Sequence, residues 1–117
     1  MRSATAVLDS FPFGGGVTSL QTFAMGAALV TLPSTFLSGR LTFSMYKELG
    51  LAPDLRCCVA ANITHYVDIS LRLARDPAHR RQVRSQILER SHRLFESKEA
   101  LEEWGRFLQM LSASIYT

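Results

Sequence analysis

A short apolar run closing on Asp9 leads into Phe11-Pro12-Phe13, then Gly14, Gly15 and Gly16, then Val17, Thr18 and Ser19. These residue types in this order suit the binding of an anion. Glycine has no Cβ, so its backbone can approach a ligand closely and adopt positive φ. Thr18 and Ser19 add hydroxyls. A helix starting near Val17 or Thr18 would present N–H groups with no partner inside the helix, at the positive end of its dipole. A phosphate or diphosphate is the matching ligand. The spacing fits neither familiar phosphate loop. No lysine stands where a Walker A loop needs one, and Gly14, Gly16 and Ser19 give GxGxxS where the dinucleotide fingerprint needs a third glycine. The same residues would also make a tight strand-to-helix turn with no ligand, and spacing alone leaves both readings open.

Other chemistry-bearing residues point less far. Asp9, at a strand end, is placed either for catalysis or for hydrogen bonding within the loop. Arg40 is placed either to reach a phosphate or on a helix surface. His65, His79 and His92 are too scattered for a zinc site. Lys47 and Lys98 read as surface residues. The cysteines, Cys57 and Cys58, are adjacent. Adjacent thiols close an ordinary disulfide poorly, so the pair reads as small apolar side chains in a buried strand. Trp104 and Phe107 read as core.

Elements must position the glycine loop. Residues 4–9 read as a short strand and 17–26 as a helix, with Leu20, Phe23, Ala24 and Ala27 at helical spacing and Gly26 near its end. Residues 28–32 form a second apolar run, short and apolar on both faces, as in a covered parallel strand. Residues 35–49 read as a helix stopped by Gly50, and 56–61 as a third strand. Beyond Asn62 the pattern is helical. Asn62 caps a helix whose apolar face is Ile63, Tyr66, Val67, Leu71 and Ala74. Asp76-Pro77 starts the next, which runs to about Arg90. Ser97 caps a last helix with the stripe Leu101, Trp104, Phe107, Leu108 and Leu111. Alternating strands and helices argue for an α/β fold with about three parallel strands and a helical C-terminal part.

Composition sets the outer bounds. The chain has 117 residues, 47% hydrophobic, enough for a core and for one domain or part of one. Its first strand begins close to Met1, which reads as one partial domain over 1–117, the back half of a larger unit. No apolar run reaches membrane-spanning length, and no signal-type block follows Arg2. The expectation is a soluble, cytoplasmic protein. Net charge is +3. The excess lies in Arg72, Arg75, Arg80, Arg81, Arg84, Arg90 and Arg93, opposed there by Asp76 and Glu89. That region would serve either as a solvated face or as a surface for an anionic partner or nucleic acid.

Residues 8 to 50 carry a resemblance. Leu8-Asp9-Ser10-Phe11-Pro12, Gly14-Gly15-Gly16, Val17-Thr18, Gln21, Gly26-Ala27-Ala28 and Leu29-Val30-Thr31-Leu32 resemble the C-terminal catalytic lobe of the O-linked N-acetylglucosamine transferase family. This is family 41 of the glycosyltransferases, with the GT-B fold, which includes the plant SPINDLY proteins. Ser38-Gly39-Arg40 and Leu49-Gly50 fit as well, and the later helices fit more loosely. The resemblance implies the C-terminal half of a Rossmann-like lobe that binds a UDP-sugar such as UDP-N-acetylglucosamine. It implies a UDP-sugar site at Gly14, Gly15, Gly16, Val17, Thr18, Ser19 and Gln21, in which Gly16, Val17 and Thr18 occupy the diphosphate-contacting stretch and Gln21 the place of the ribose-binding acid. It implies a protein acceptor brought by another lobe, no metal, no nucleic acid, and a last helix that packs back against the lobes. Carried alone, the segment is expected to be inactive, since the other lobe and upstream chain supply the acceptor site, the uracil contacts and a diphosphate-binding lysine. Three positions depart from the pattern. Val17 replaces the first of two threonines, Gln21 replaces an acid, and Gly26-Ala27-Ala28 lacks a proline. The first two remove a hydroxyl and a charge from the expected nucleotide contacts.

Overall fold

A computed structural model describes residues 4–51 and 57–116. The chain is a mixed α/β structure, mostly helical, around a small parallel sheet. Strand β1 is Val7–Leu8 and β2 is Leu29–Val30, in the register Val7 to Leu29 and Leu8 to Val30. The Val7 N–H donates to Ala28 O at 2.8 Å and the Asp9 N–H to Val30 O at 2.8 Å, which extends the ladder one residue past each strand end. Both residues of β2 are buried, as its doubly apolar sequence predicts.

Helix α1, Val17–Ala24, and helix α2, Leu41–Glu48, follow β1 and β2. Both stop at glycines with left-handed backbone, Gly26 (φ +70°) and Gly50 (φ +71°), as their positions in the sequence suggest. The expected helix over 35–49 is shorter. A 3₁₀ turn covers Leu37–Gly39, and Arg40, with φ −124°, separates it from α2. That turn is tied to its surroundings instead of continuing a helix: Ser34 N–H donates to Gly39 O at 3.2 Å, and Gly14 N–H donates to Ser38 O at 2.9 Å.

The third strand expected over 56–61 is reduced to one parallel bridge between Thr31 and Val59, with residue 56 outside the described residues. Thr31 N–H donates to Cys58 O at 2.9 Å and Ala60 N–H to Thr31 O at 2.8 Å. Cys58 is fully buried in the core, Cys57 is half-buried, and the two are not joined. The neighbouring Cys57 sulfur and burial both push the Cys58 thiol far above its ordinary pKa, which keeps it an uncharged packing group.

Helix α3, Ile63–Arg75, is capped by Asn62, whose Oδ1 accepts the His65 N–H at 2.8 Å. Helix α4, Pro77–Arg90, is capped by Asp76, whose Oδ1 accepts the His79 N–H at 3.0 Å. Both caps follow from the sequence chemistry. The face of α3 differs from expectation. Its buried residues are Ile69 and Leu73, while Ile63, Val67 and Leu71 are exposed. The helix carries two adjacent apolar stripes, and α4 and the sheet cover one.

The core joins Phe23 and Tyr46, in edge-to-face contact at 4.8 Å, with Leu29, Val30, Leu49, Leu73, Val83 and Ile87. Helix α5, Lys98–Tyr116, stands outside it and has no buried residue. Its stripe, Leu101, Trp104, Phe107, Leu108 and Leu111, is exposed throughout, against the expectation that Trp104 and Phe107 are core. With this helix extended the molecule measures 63 × 29 × 25 Å.

Candidate functional site

The loop from Ser10 to Gly16 leaves the carboxyl end of β1 and enters α1. In open α/β sheets this end carries ligands. Asp9 organises it. The residue is buried, 7% exposed. Oδ1 accepts the Gly15 N–H at 2.8 Å, and Oδ2 accepts the Thr31 hydroxyl at 2.8 Å from the end of β2. The Asp9 carbonyl accepts the Tyr66 hydroxyl at 2.8 Å from α3. Burial, and secondarily the Asp9 charge, raise the Tyr66 pKa, so the phenol stays protonated and donates.

The glycines lie in order of depth. Gly14 is buried against the Asp9 carboxylate, and Gly15 and Gly16 are half-buried. At Gly15 a Cβ would come within 2.7 Å of Thr18 Oγ1 and 2.8 Å of Ser19 Oγ. This is the close approach for which glycine is needed. Helix α1 then begins at Val17 with Gly16 at its cap, no side chain closing its first turn and no acid within that turn. Its amides and positive dipole end are available to an anion.

The expected site residues divide. Gly15, Gly16, Val17 and Thr18 form one continuous surface, with Gly14 buried beneath it. Val17 is 70% exposed and Thr18 is exposed. Ser19 is buried, and its hydroxyl pairs with that of Thr42 on α2 at 2.9 Å. Thr18 is therefore the hydroxyl at the surface, while Ser19 joins the two helices. Gln21 lies exposed one turn further along α1. Sequence reasoning missed Thr31, Tyr66 and Thr42 as supports of the loop. The one available signal was Thr31, a polar residue inside an otherwise apolar run.

Beside the mouth opens a cleft of about 800 Å³. Phe11 and Pro12 of the loop, Pro33 and Phe36 after β2, Arg40 and Asn62 are among its walls. The glycines are not part of its lining. Arg40 donates to Ser34 O at 3.0 Å and lies 4.9 Å over the Phe43 ring, so its guanidinium is held at the cleft edge. Among the described residues no group of three or more His, Cys, Asp or Glu side chains could hold a metal, and no helix is long and apolar enough to cross a membrane.

The family model for glycosyl transferase family 41 matches residues 2–103. The chain belongs to glycosyl transferase family 41. A probable UDP-N-acetylglucosamine–peptide N-acetylglucosaminyltransferase SPINDLY of Petunia hybrida is 28% identical over 107 residues, covering 92% of this chain. The K341M mutant of the Thermobaculum terrenum O-GlcNAc transferase superposes with a TM-score of 0.65 at 31% identity over 74% of this chain. The chain spans 10% of the plant protein and 16% of the bacterial one.

The arginine-rich region is partly structural. Arg80 donates to the Leu73 and Ala74 carbonyls at 2.8 and 3.2 Å, at the end of α3. Arg90 and Arg93 donate to the Gly50 and Leu49 carbonyls at 2.5 and 3.3 Å, at the end of α2. Three of the seven arginines thus satisfy carbonyls that helix ends leave open.

Proposed function

We propose that this segment holds the diphosphate of a UDP-sugar for a protein O-glycosyltransferase, as part of the Rossmann-like second half of a GT-B lobe. One observation carries the reading. The Asp9-anchored loop leads Gly15 and Gly16 into a helix N-terminus closed by no side chain, at the carboxyl end of a parallel strand. Membership of family 41 supplies the chemistry that such a mouth would serve. Transfer of the sugar leaves negative charge on the departing nucleoside diphosphate. Fixed amides and the α1 dipole, with the Thr18 hydroxyl, would stabilise that charge as it develops, with no metal needed. Gln21 would hydrogen-bond the ribose diol as a neutral group. The protein acceptor and the rest of the transfer machinery would come from another lobe.

The test is calorimetric titration of the 117-residue chain with UDP and with UMP. Binding of UDP well above UMP is expected, because the second phosphate is what the mouth contacts. Equal affinities, or no binding by a folded chain, would refute the reading.

A second reading rests on a separate feature. Arg80, Arg81 and Arg84 border a cavity of about 220 Å³ beside Ala4 and Ala27, residues that precede the two strands. A partner bearing many negative charges, nucleic acid included, would be held there by charge. Its affinity should fall steeply with salt and with Arg81→Gln and Arg84→Gln, and it should be indifferent to Thr18→Val. UDP binding should show the opposite pattern.

A further inference from the structure

We propose that Asp9 is a positioning residue for the diphosphate site. It acts as a hydrogen-bond acceptor that shapes the loop, while its negative charge works against the ligand the loop receives. The inference rests on the diphosphate reading above. Its basis is the bonding of every polar atom of Asp9. The main-chain N–H donates to Val30 O at 2.8 Å, and the carbonyl accepts from Tyr66 on α3 at 2.8 Å. Oδ2 accepts from Thr31, itself 1% exposed and pinned by the bridge to Val59. With the rest of the side chain fixed, Oδ1 holds the Gly15 N–H at 2.8 Å.

That last bond turns the Gly15 amide inward, away from the mouth. The turn that follows, Gly16 to Thr18, is left facing out with no capping side chain. Asp9 therefore decides which amides of the loop meet a ligand, without touching the ligand. A carboxylate beneath an anion site is electrostatically adverse, and it is shielded here only by burial and by its two donors. The role needs an acceptor at Oδ1 and a polar partner for the Thr31 hydroxyl. It does not need the charge. Asparagine supplies an amide oxygen for Gly15 and an NH₂ that the Thr31 oxygen can accept.

The experiment compares the wild-type chain with Asp9→Asn and Asp9→Ala. UDP and UMP affinities are measured by calorimetry, and exchange of the Gly15 amide by ¹H–¹⁵N spectroscopy. The expected result is a protected Gly15 amide in wild type and Asp9→Asn and an exchanging one in Asp9→Ala. UDP affinity should be kept or tightened in Asp9→Asn and be about tenfold weaker in Asp9→Ala, with the preference for UDP over UMP reduced in parallel. A folded Asp9→Asn that loses UDP binding would overturn the inference, whether or not Asp9→Ala folds. So would Asp9→Ala with undiminished affinity, or a freely exchanging Gly15 amide in wild type. A wild-type chain that protects Gly15 yet binds no UDP would instead refute the diphosphate reading itself.

Discussion

Tyr46 is bonded twice to Leu29: its hydroxyl donates to the Leu29 carbonyl at 2.7 Å and accepts the Leu29 N–H at 3.1 Å. A side chain of α2 thus fills both main-chain valences that a third strand would take at this level of β2. One residue pair along, at Thr31, the backbone of Cys58 and Ala60 takes over. Among the described residues the neighbouring segment meets β2 at that single level. The phenol replaces the remainder of a ladder.

Tyr46→Phe keeps the ring and its contact with Phe23 and strands a buried N–H and a buried C=O. The expected cost is about 2–3 kcal/mol of folding stability, the range for buried polar groups left without partners. Denaturant unfolding monitored by circular dichroism measures it. A loss near zero would show that water reaches Leu29.

Alkaline pH should act on the same bond. Burial, with Cys58 adding to it, raises the Tyr46 pKa, and burial followed by the Asp9 charge raises that of Tyr66. Both folded values lie above the unfolded tyrosine value of about 10. The unfolded state therefore loses these protons first. Stability should be complete below about pH 10 and decline as pH rises above it. Unfolding midpoints at successive pH values above 9 would follow this. Tyr46→Phe should flatten the slope and Tyr66→Phe should flatten it less, Tyr66 being only partly buried.

Gly15→Ala tests the mouth directly. The added methyl meets the Thr18 and Ser19 oxygens at 2.7 and 2.8 Å, and the Asp9 carboxylate at 3.5 Å. Either the Thr18 and Ser19 hydroxyls must turn away or the first turn of α1 must shift to make room. UDP affinity should fall about tenfold or more, as for loss of a well-formed charge-assisted contact. The clash sits at a half-buried surface loop, so unfolding stability should fall by less than about 1.5 kcal/mol. A variant with wild-type UDP affinity would mean that the ligand does not use this turn.

What could be read from the sequence, and what could not, divides by the range of the interaction. The Asn62 and Asp76 caps and the Gly26 and Gly50 stops are chemistry between residues a few positions apart, and each stands as expected. The strand-to-helix turn is local as well, and Gly15, Gly16, Val17 and Thr18 lie together at its surface. Most of the misses are long-range. Ser19 and Thr42 are 23 positions apart, and their pairing, which takes Ser19 away from the mouth, leaves no mark on either segment. The third strand gives way to a tyrosine 17 positions from Leu29. On α3, two apolar stripes are equally visible in the sequence, and only packing against α4 and the sheet decides which is buried. Family resemblance supplied the site reading where spacing had left two alternatives.

Helix α5 provides the last prediction. Its residues from Lys98 to Tyr116 are exposed, and Trp104 is 62% exposed. Trp104 contacts Phe107 edge-to-face at 5.8 Å, within its own helix. The ion pair of the helix, Glu103 with Arg106, is exposed on both sides and contributes little. In the isolated chain α5 should therefore add almost nothing to the stability of the core. A chain ending at Ser97 should melt within about 2 °C of the full one, since a shift of that size corresponds to well under 1 kcal/mol for a domain of this length. Trp104 is the single tryptophan, so fluorescence isolates the helix. Its emission should be that of a water-exposed indole, be quenched freely by iodide, and change little as the core unfolds. A blue-shifted, protected tryptophan whose signal follows core unfolding would show that α5 folds back onto the chain in solution.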